Sequence, residues 1–340
     1  MPGKKRKYVI IGAGVAGVAA ALAIREEDGD ASITLVDEEA DFPHYRFMLG
    51  DVLLGTKDER GIFIKDERFF DEKKIKLRRG QKVLKLSVTG KYVFLANNEQ
   101  LTFDAILISV GRREVIPSHL KQYSRWLSLF STLENTLTIK SRIPHAKRAI
   151  LRGKGFNALE LARVLLRSGL EVVLVTPDKR LTYPSMPEEE NEDLRRIITE
   201  AGILLREGED INRIEEKNMH TYSVELLSGD RLDGEIIFAS GGFAPKIDFL
   251  RDSGVYLNQG VIVDDYLQST SESIFAAGDC AEIYHPALKR YWVNLGYPNA
   301  GTQGTVAGKN MAGDLLLKLD IEKMRPYTIF GREHHARWWD

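Results

Sequence analysis

A glycine-rich turn near the amino terminus constrains the fold more than any other feature of the sequence. The β-branched run Lys7–Ile11 leads into Gly12-Ala-Gly14-Val-Ala-Gly17, a helix-forming stretch continues to about Glu27, and a second apolar strand covers Ser32–Val36. In such a turn the first glycine allows a tight bend, the second lets a pyrophosphate approach the backbone, and the third lets the helix pack against the strand. The pattern predicts a strand–helix–strand unit that binds a dinucleotide. Asp37, which ends the second strand, is predicted to accept hydrogen bonds from the ribose.

The same order of elements starts again at residue 148. The second set consists of a strand at Arg148–Arg152, the turn Gly153-Lys-Gly155, a helix at Phe156–Ser168 and a strand at Glu171–Val175. Ala158 takes the third glycine position, where a methyl group is tolerated. The repeat predicts two nucleotide-binding folds in one chain.

The residues after that last strand bear on which nicotinamide dinucleotide the second fold binds. An acid at position 176 would favour NAD, because it would accept hydrogen bonds from the ribose hydroxyl. The sequence has Thr176 there, followed by Lys179 and Arg180, so the pattern favours the 2′-phosphate of NADP. Lys154 and Asn157 are unusual neighbours in such a turn, which leaves a vestigial second site as the alternative.

Charge and cysteine content narrow the functional classes. The chain has 48 Lys and Arg against 49 Asp and Glu, a formal net charge of −1, so no bulk field favours nucleic acid or an anionic membrane. No apolar run reaches the roughly 18 residues of a spanning helix, and the first apolar run carries spaced glycines unlike a signal peptide. The single cysteine excludes a disulfide framework or a redox dithiol within the chain and predicts a cytoplasmic protein. The pair His334-His335 is too sparse for a metal site, so no metal is predicted.

Four further segments carry a more specific pattern. They are His44-Tyr-Arg46-Phe-Met-Leu49 with Gly55, Ile108-Ser-Val-Gly111, Gly153-x-Gly-Phe-x-Ala-Leu-Glu160-Leu-Ala162, and Ser273-Ile-Phe-Ala-Ala-Gly278-Asp279-Cys-Ala-Glu282. With the first glycine turn, they make residues 6 to 315 resemble the FAD-dependent pyridine nucleotide-disulfide oxidoreductases. Within that family the chain is most similar to NADH:rubredoxin reductases and to the flavoprotein part of assimilatory nitrite reductases, although Phe47 stands where that branch has proline.

The resemblance implies FAD and NAD(P)H as cofactors. In the family, the aspartate matched by Asp279 bonds the ribityl chain, and the helix after it faces the flavin end where the reduced state is anionic. Arg46 and Glu160 are the predicted catalytic residues near the flavin and nicotinamide. The alternative is a surface salt-bridge residue for Arg46 and a plain helix-surface glutamate for Glu160. The predicted cofactor-binding residues are Gly12, Ala13, Gly14, Ala16, Gly17, Asp37, Glu38, Arg46, Val83, Ser109, Val110, Gly111, Gly153, Gly155, Phe156, Asn157, Thr176, Arg180, Gly241, Gly278 and Asp279.

Two departures from the family pattern shape the expected activity. Disulfide-reducing members need a thiolate beside the flavin, but residues 42–44 are Phe, Pro and His, and Cys280 lies inside the flavin motif as a buried residue. We therefore expect no disulfide reduction. The family continues into a C-terminal interface domain that pairs two subunits, whereas this chain stops soon after Tyr327-Thr-Ile-Phe330. The expected fold lacks that domain, and the tail Arg337-Trp-Trp-Asp340 is expected to dock on a partner or on its own surface.

The predicted fold class is α/β with two Rossmann-like domains of the glutathione reductase type. Residues 1–111 and 251–340 are expected to form the FAD-binding domain, and residues 112–250 the NAD(P)-binding domain. The predicted function is an FAD-dependent oxidoreductase that takes hydride from NAD(P)H and passes electrons to a separate acceptor, which is rubredoxin, another small redox protein, oxygen or a quinone.

Two alternatives stay open at this point. One is an FAD-carrying subunit of a larger hetero-oligomeric redox complex with a weak nicotinamide site. The other is an NADH:quinone reductase at a membrane surface, which ranks lower because the sequence has no amphipathic C-terminal anchor.

Overall fold

The chain divides into two compact units, each assembled from separate stretches of sequence. The computed structural model describes residues 5–182, 188–286, 288–293, 295–314, 316–320, 327–329 and 332–334. Unit one consists of residues 1–45, 63–113 and 244–323, and unit two of residues 46–62, 114–243 and 324–340. Residues 46–62, which the sequence assigned to the FAD-binding part, therefore group with the second nucleotide fold. The domain ranges drawn from the sequence remain a prediction.

Unit one is built on a five-stranded parallel sheet. Its strands in spatial order are Ile274–Ala276, Ala105–Ile108, Lys7–Ile11, Ser32–Val36 and Ile75–Arg78. All four residues of Ala105–Ile108 are buried, as expected of a parallel strand covered on both faces. The predicted strands Lys7–Ile11 and Ser32–Val36 are confirmed.

The helices of unit one are Val15–Glu27, Glu67–Glu72 and Tyr297–Ala312. The first, predicted from the sequence, ends where expected. The last agrees with the helix that the resemblance implied after Asp279, but its bounds were not predicted, because its Gly, Asn and Thr content gives a weak helical pattern. Its glycines are explained by packing, since a Cβ on Gly304 would lie 2.8 Å from the Cα of Ala16. The small residues allow the two helices to approach closely, which no local rule reveals.

The remaining strands of unit one form two smaller sheets. One is antiparallel, with strands Val83–Ser87, Tyr92–Leu95 and Gln100–Thr102. The other is mixed, with strands Val261–Val263, Ala281–His285 and Arg290–Trp292, and a short 3-10 helix covers Asp248–Leu250. The antiparallel pairing of Val83–Ser87 with Tyr92–Leu95 makes a hairpin around Thr89-Gly90.

Unit two has its own five-stranded parallel sheet. In spatial order its strands are Leu204–Glu207, Glu171–Thr176, Arg148–Arg152, Ile236–Ala239 and Leu127–Ser128. The stretch 231–239 forms two strands, Arg231–Gly234 and Ile236–Ala239, and not one. The first strand ends at Gly234, where a Cβ would lie 3.2 Å from the carbonyl oxygen of Arg148. The N–H of Glu235 donates to the same oxygen at 3.1 Å. Residues before Glu235 join an antiparallel sheet, and those after it join the parallel one.

The other elements of unit two surround this sheet in sequence. The antiparallel sheet consists of Ile211–Asn218, Thr221–Leu226 and Arg231–Gly234, and a two-stranded pair consists of Tyr327–Ile329 and Arg332–His334. The helices are Leu49–Leu54, Leu133–Arg142, Phe156–Arg167 and Glu188–Glu200, with 3-10 helices at Arg46–Met48, Arg60–Ile62, Ser118–Trp126 and Ile143–His145. Two of the passages of the chain from one unit to the other lie within the short strands Arg112–Glu114 and Phe243–Pro245.

Two features of the described residues bear on the exclusions made from sequence. No helix in the described ranges is long and apolar enough to cross a membrane. The same ranges contain no group of three or more His, Cys, Asp or Glu side chains arranged to hold a metal ion. The tail Arg337–Asp340, expected to dock on a surface, lies outside the described residues.

Candidate functional site

The first glycine turn of unit one has the geometry that a pyrophosphate requires. Gly12 has φ of +100°, and a Cβ there would lie 2.6 Å from the carbonyl carbon of Ser109. A Cβ on Gly17 would overlap the carbonyl oxygen of Gly12, so only glycine lets the helix start this close to the strand. A Cβ on Gly14 would meet nothing within 4 Å. The turn is thus packed from below and open above the helix N-terminus, where backbone N–H groups bind anions.

An acid and a hydroxyl hold this turn in place. The Ala13 N–H donates to Asp37 Oδ2 at 2.5 Å, and the Glu39 N–H donates to Asp37 Oδ1 at 2.9 Å. The carboxylate therefore lies beside the turn, which is where a ribose diol would reach it. Ser109 Oγ lies 2.9 Å from the Gly12 carbonyl oxygen and donates to the backbone of the turn. Glu38 lies next to them and pairs with Lys246, with 2.8 Å between Oε1 and Nζ.

The predicted flavin motif meets the same turn from a second direction. Gly278 has φ of +78°, and a Cβ there would lie 3.2 Å from the Cβ of Ala16. Its N–H donates to Gln303 Oε1 at 2.7 Å. Gln303 was missed by sequence reasoning, and its only signal is an amide in a stretch of small residues. Asp279 Oδ1 accepts from the N–H of Gly296, the residue before helix Tyr297–Ala312, at 3.2 Å.

Unit one therefore fits FAD by the residues it presents. An open glycine cradle for the pyrophosphate, an acid for the ribose and an aspartate at a helix N-terminus lie on one set of adjoining elements. Of the other predicted residues, Val110 and Gly111 follow the strand Ala105–Ile108 next to Ser109, and Gly111 has φ of +63°. Val83 is buried in the three-stranded antiparallel sheet. Their contacts with a cofactor stay a prediction.

The second glycine turn, in unit two, has a similar backbone. Gly153 has φ of +152° and Gly155 has φ of +80°, and Gly155 is the residue before helix Phe156–Arg167. A Cβ on Gly155 would meet nothing within 4 Å, whereas one on Gly153 would lie 3.5 Å from Ser240. The predicted residue Gly241 lies beyond that serine and donates its N–H to the carbonyl of Val115 at 2.6 Å. The turn is again open at the helix start.

A buried carboxyl beside this turn was missed by sequence reasoning. Glu114 is 5% exposed, and the Phe130 N–H donates to its Oε2 at 2.8 Å. Burial raises the pKa of Glu114, while hydrogen bonds from Phe130, Ser240 and Asn157 act in the opposite direction. Asn157, a predicted nucleotide residue, also donates to the Phe130 carbonyl at 2.7 Å. The side chain that looked unusual in the turn thus ties the helix start to the neighbouring loop.

The residues expected to bind a 2′-phosphate have other partners. The Thr176 hydroxyl is fully buried and donates to the Asp178 carbonyl at 2.9 Å. The Arg180 guanidinium pairs with Glu188 at 3.0 Å. Asp178 Oδ2 lies 2.6 Å from the Nζ of Lys154, the residue between the two glycines of the turn. An acid therefore lies beside the second turn although position 176 itself holds threonine.

The two predicted catalytic residues both belong to unit two. Glu160 forms a two-point ion pair with Arg163 on its own helix, at 2.6 and 2.8 Å, and is half-buried. Helix Leu49–Leu54 approaches this pair, and a Cβ on Gly50 would lie 3.2 Å from Val164. Arg46 donates to the carbonyl oxygen of Ser131. The structure therefore shows an ion pair for Glu160 and a backbone contact for Arg46. The catalytic roles of both residues stay predictions.

Comparison with known proteins places this geometry in a family. The sequence model of one protein family, the pyridine nucleotide-disulphide oxidoreductases, matches residues 6–304. The chain belongs to this family. The family predicted from the sequence motifs is thereby confirmed, and the chain is an FAD-dependent NAD(P)H oxidoreductase.

Two curated relatives cover most of the chain. Subunit epsilon of the NADH-dependent phenylglyoxylate dehydrogenase of Aromatoleum evansii is 28% identical over 329 residues, which are 96% of this chain and 77% of that protein. The NADH-rubredoxin oxidoreductase of Clostridium acetobutylicum is 27% identical over 315 residues, 92% of this chain and 76% of that protein. A crystal structure of a putidaredoxin reductase–putidaredoxin complex matches with a TM-score of 0.88 at 21% identity, covering 96% of this chain and 79% of that chain. That likeness confirms the predicted α/β fold with Rossmann-like domains.

The single cysteine of this pyridine nucleotide-disulphide oxidoreductase is too deeply buried to act as a reactive thiol. Cys280 is completely buried, and its Sγ lies 3.4 Å from the carbonyl oxygen of Ile108. Burial raises the pKa of Cys280 to about 12, so the group is a thiol and not a thiolate at neutral pH. The expectation of a small buried side chain is confirmed.

Proposed function

We propose that the chain oxidises a reduced nicotinamide dinucleotide at bound FAD and passes the electrons outward to a small redox protein. The observation that carries the proposal is the state of Cys280. It is the only cysteine of the chain, it is fully buried, and its pKa is raised to about 12. A disulfide relay needs an accessible thiolate as nucleophile, so the electrons have to leave without one.

The names of relatives support a protein as the acceptor. The relative from Clostridium acetobutylicum is named for rubredoxin, and the structural neighbour was crystallised with putidaredoxin. For this chain we propose an acceptor of the same class, a small soluble metal-centred electron carrier. The proposed location is the cytoplasm, because a chain with one cysteine forms no internal disulfide and so does not depend on an oxidising compartment.

The proposed mechanism assigns holding and orienting roles to the protein. Bound FAD supplies the hydride acceptor and the outlet for electrons. Gly14 and the helix start after it would receive the pyrophosphate, Asp37 the ribose, and Asp279 the ribityl chain. The turn at Gly153–Gly155 would bind the pyrophosphate of the nicotinamide dinucleotide. Predicted contributions of Arg46 and Glu160 remain part of this proposal.

Replacing Cys280 by alanine tests the outward route. We expect Cys280→Ala to keep its FAD and to support NADH oxidation at the wild-type rate with rubredoxin, with plant-type ferredoxin and with an artificial acceptor. The reason is that a buried protonated thiol takes no part in the transfer. The measurement is steady-state reduction of each acceptor, with flavin content of the same sample as the control for folding. Loss of turnover in a variant that retains FAD would make Cys280 the redox centre and overturn the proposal.

A second candidate function is supported by the relative from Aromatoleum evansii. That protein is a subunit of an NADH-dependent dehydrogenase, and its match spans 96% of this chain. On this reading the chain is the FAD-carrying subunit of a hetero-oligomer. Affinity purification from the native host followed by size-exclusion chromatography separates the candidates. A stoichiometric complex favours the subunit, whereas a free chain that reduces rubredoxin favours the stand-alone reductase.

A further inference from the structure

Asp178 is an acid that follows the second strand of the nucleotide fold of unit two and pairs with a residue of its glycine turn. The residue follows the strand Glu171–Thr176, and its Oδ2 is 2.6 Å from the Nζ of Lys154. Lys154 stands between Gly153 and Gly155, so a carboxylate that reaches its ammonium lies beside the glycine turn. In a dinucleotide-binding turn the ribose diol lies at that place and donates to an acid at the end of the second strand.

The carboxylate is also fixed from its own loop. Asp178 Oδ1 accepts from the N–H of Arg180 at 2.9 Å, and the Asp178 carbonyl accepts from the buried Thr176 hydroxyl. Two contacts, one from the turn and one from the loop, therefore hold the Asp178 side chain, and a third from the strand end holds its backbone. A group held in this way loses little further rotamer freedom when a ligand binds.

The cation expected to bind a 2′-phosphate is neutralised by an acidic helix start. Arg180 pairs with Glu188 at 3.0 Å, and the first turn of helix Glu188–Glu200 also contains Glu189 and Glu190. A 2′-phosphate would have to displace one of these carboxylates or lie beside them, and contact between like charges is strongly unfavourable. Of the other nearby cations, Lys154 is paired with Asp178, and Lys179 is exposed, where a solvated ammonium adds little to phosphate binding.

We propose that Asp178 is the specificity-determining residue for the nicotinamide dinucleotide and that it selects NADH over NADPH. Lys154 holds its carboxylate beside the turn, and the Arg180–Glu188 pair removes the charge that a 2′-phosphate needs. This inference rests on the proposed function of unit two. It replaces the preference for NADP that Thr176 and Arg180 suggested from sequence alone.

Binding of the oxidised dinucleotides tests the inference without turnover. Isothermal titration calorimetry of the FAD-loaded protein with NAD⁺ and with NADP⁺ should give a tighter constant for NAD⁺, by roughly tenfold or more. In Asp178→Asn, loss of a hydrogen bond to a charged group should weaken NAD⁺ roughly 10–100-fold and leave NADP⁺ unchanged or tighter. Glu188→Gln should tighten NADP⁺ alone, because it releases Arg180.

A matched control removes the same type of charge elsewhere in unit two. Asp233 is an aspartate paired with Lys217, also at 2.6 Å, but it lies in the antiparallel sheet. We expect Asp233→Asn to change neither constant. Thermal unfolding of all variants shows whether each is folded as the wild type is.

Three results would overturn the inference. They are NADP⁺ bound as tightly as NAD⁺ by the wild type, an equal effect of Asp178→Asn on both ligands, and no binding of either one. Failure of the proposed function is separate and visible in a parallel assay. If the protein binds NAD⁺ selectively but NADH does not reduce its flavin, the specificity inference stands and the proposed function is wrong.

Discussion

Gly14→Asp is expected to abolish FAD binding while the chain stays folded. The backbone of Gly14 has φ −69° and ψ −172°, which any residue adopts, and a Cβ there meets nothing within 4 Å. Gly14 is also the N-cap of helix Val15–Glu27, a position where aspartate is favoured. The new carboxylate would occupy the space that the pyrophosphate needs. Like charges in contact cost several kcal/mol, so the dissociation constant of FAD should rise more than about 100-fold.

The measurement is flavin content after purification, followed by titration of the apoprotein with FAD. Gly29→Asp is the matched control, because Gly29 is an exposed glycine just beyond the other end of the same helix, also with nothing within 4 Å of its Cβ. We expect the control to be as yellow as the wild type and both apoproteins to unfold at similar temperatures. A Gly14→Asp protein that keeps its FAD would show that the pyrophosphate does not lie on this turn.

Gly17→Ala is expected to destabilise unit one, although helix propensity alone would favour alanine at this position. In a helix, alanine is ordinarily favoured over glycine by about 0.5–1 kcal/mol. Here the Cβ would overlap the Gly12 carbonyl oxygen and lie 2.9 Å from Ser109 Oγ. Relieving that overlap requires the helix to move off the sheet, and overpacking of this kind costs about 1–3 kcal/mol or more. We expect a net loss at the upper end of that range, with FAD lost as well because the turn moves.

Gly301→Ala separates this effect from helix propensity. Gly301 lies in helix Tyr297–Ala312 of the same unit, and a Cβ there would lie 3.5 Å from Val15, an ordinary contact. We expect it to be neutral or stabilising by up to about 1 kcal/mol. The measurement is thermal unfolding of the apoproteins. Equal unfolding temperatures for Gly17→Ala and wild type would contradict the close packing of turn and helix.

The parts of the fold that sequence predicted are those specified by local requirements. The turn at Gly12–Gly17 needs glycine at fixed positions, and the strands on either side are continuous apolar runs. The burial of Cys280 followed from its place in a recognisable motif. These features depend on residues that are neighbours in the chain, and the structure has them where they were predicted.

The parts that sequence missed depend on contacts between distant residues. Helix Tyr297–Ala312 is glycine-rich because it packs on another helix, and no periodicity in its own residues announces that. Glu114 reads as an ordinary surface acid until the Phe130 N–H, 16 residues away, is found to bond it. Arg180 looked available to a phosphate, and only the fold brings Glu188 to it. The partner of Arg180 was therefore beyond a pattern of residue types.

The central claim is that reduced dinucleotide transfers its hydride to FAD in this chain and that the electrons leave without a thiol. Anaerobic stopped-flow mixing of the oxidised holoprotein with NADH, and separately with NADPH, tests it most directly. The account predicts rapid bleaching of the flavin absorbance by NADH in both wild type and Cys280→Ala, and its return when oxidised rubredoxin is mixed in. A flavin that stays oxidised with both dinucleotides, or that is bleached only when Cys280 is present, would contradict the account.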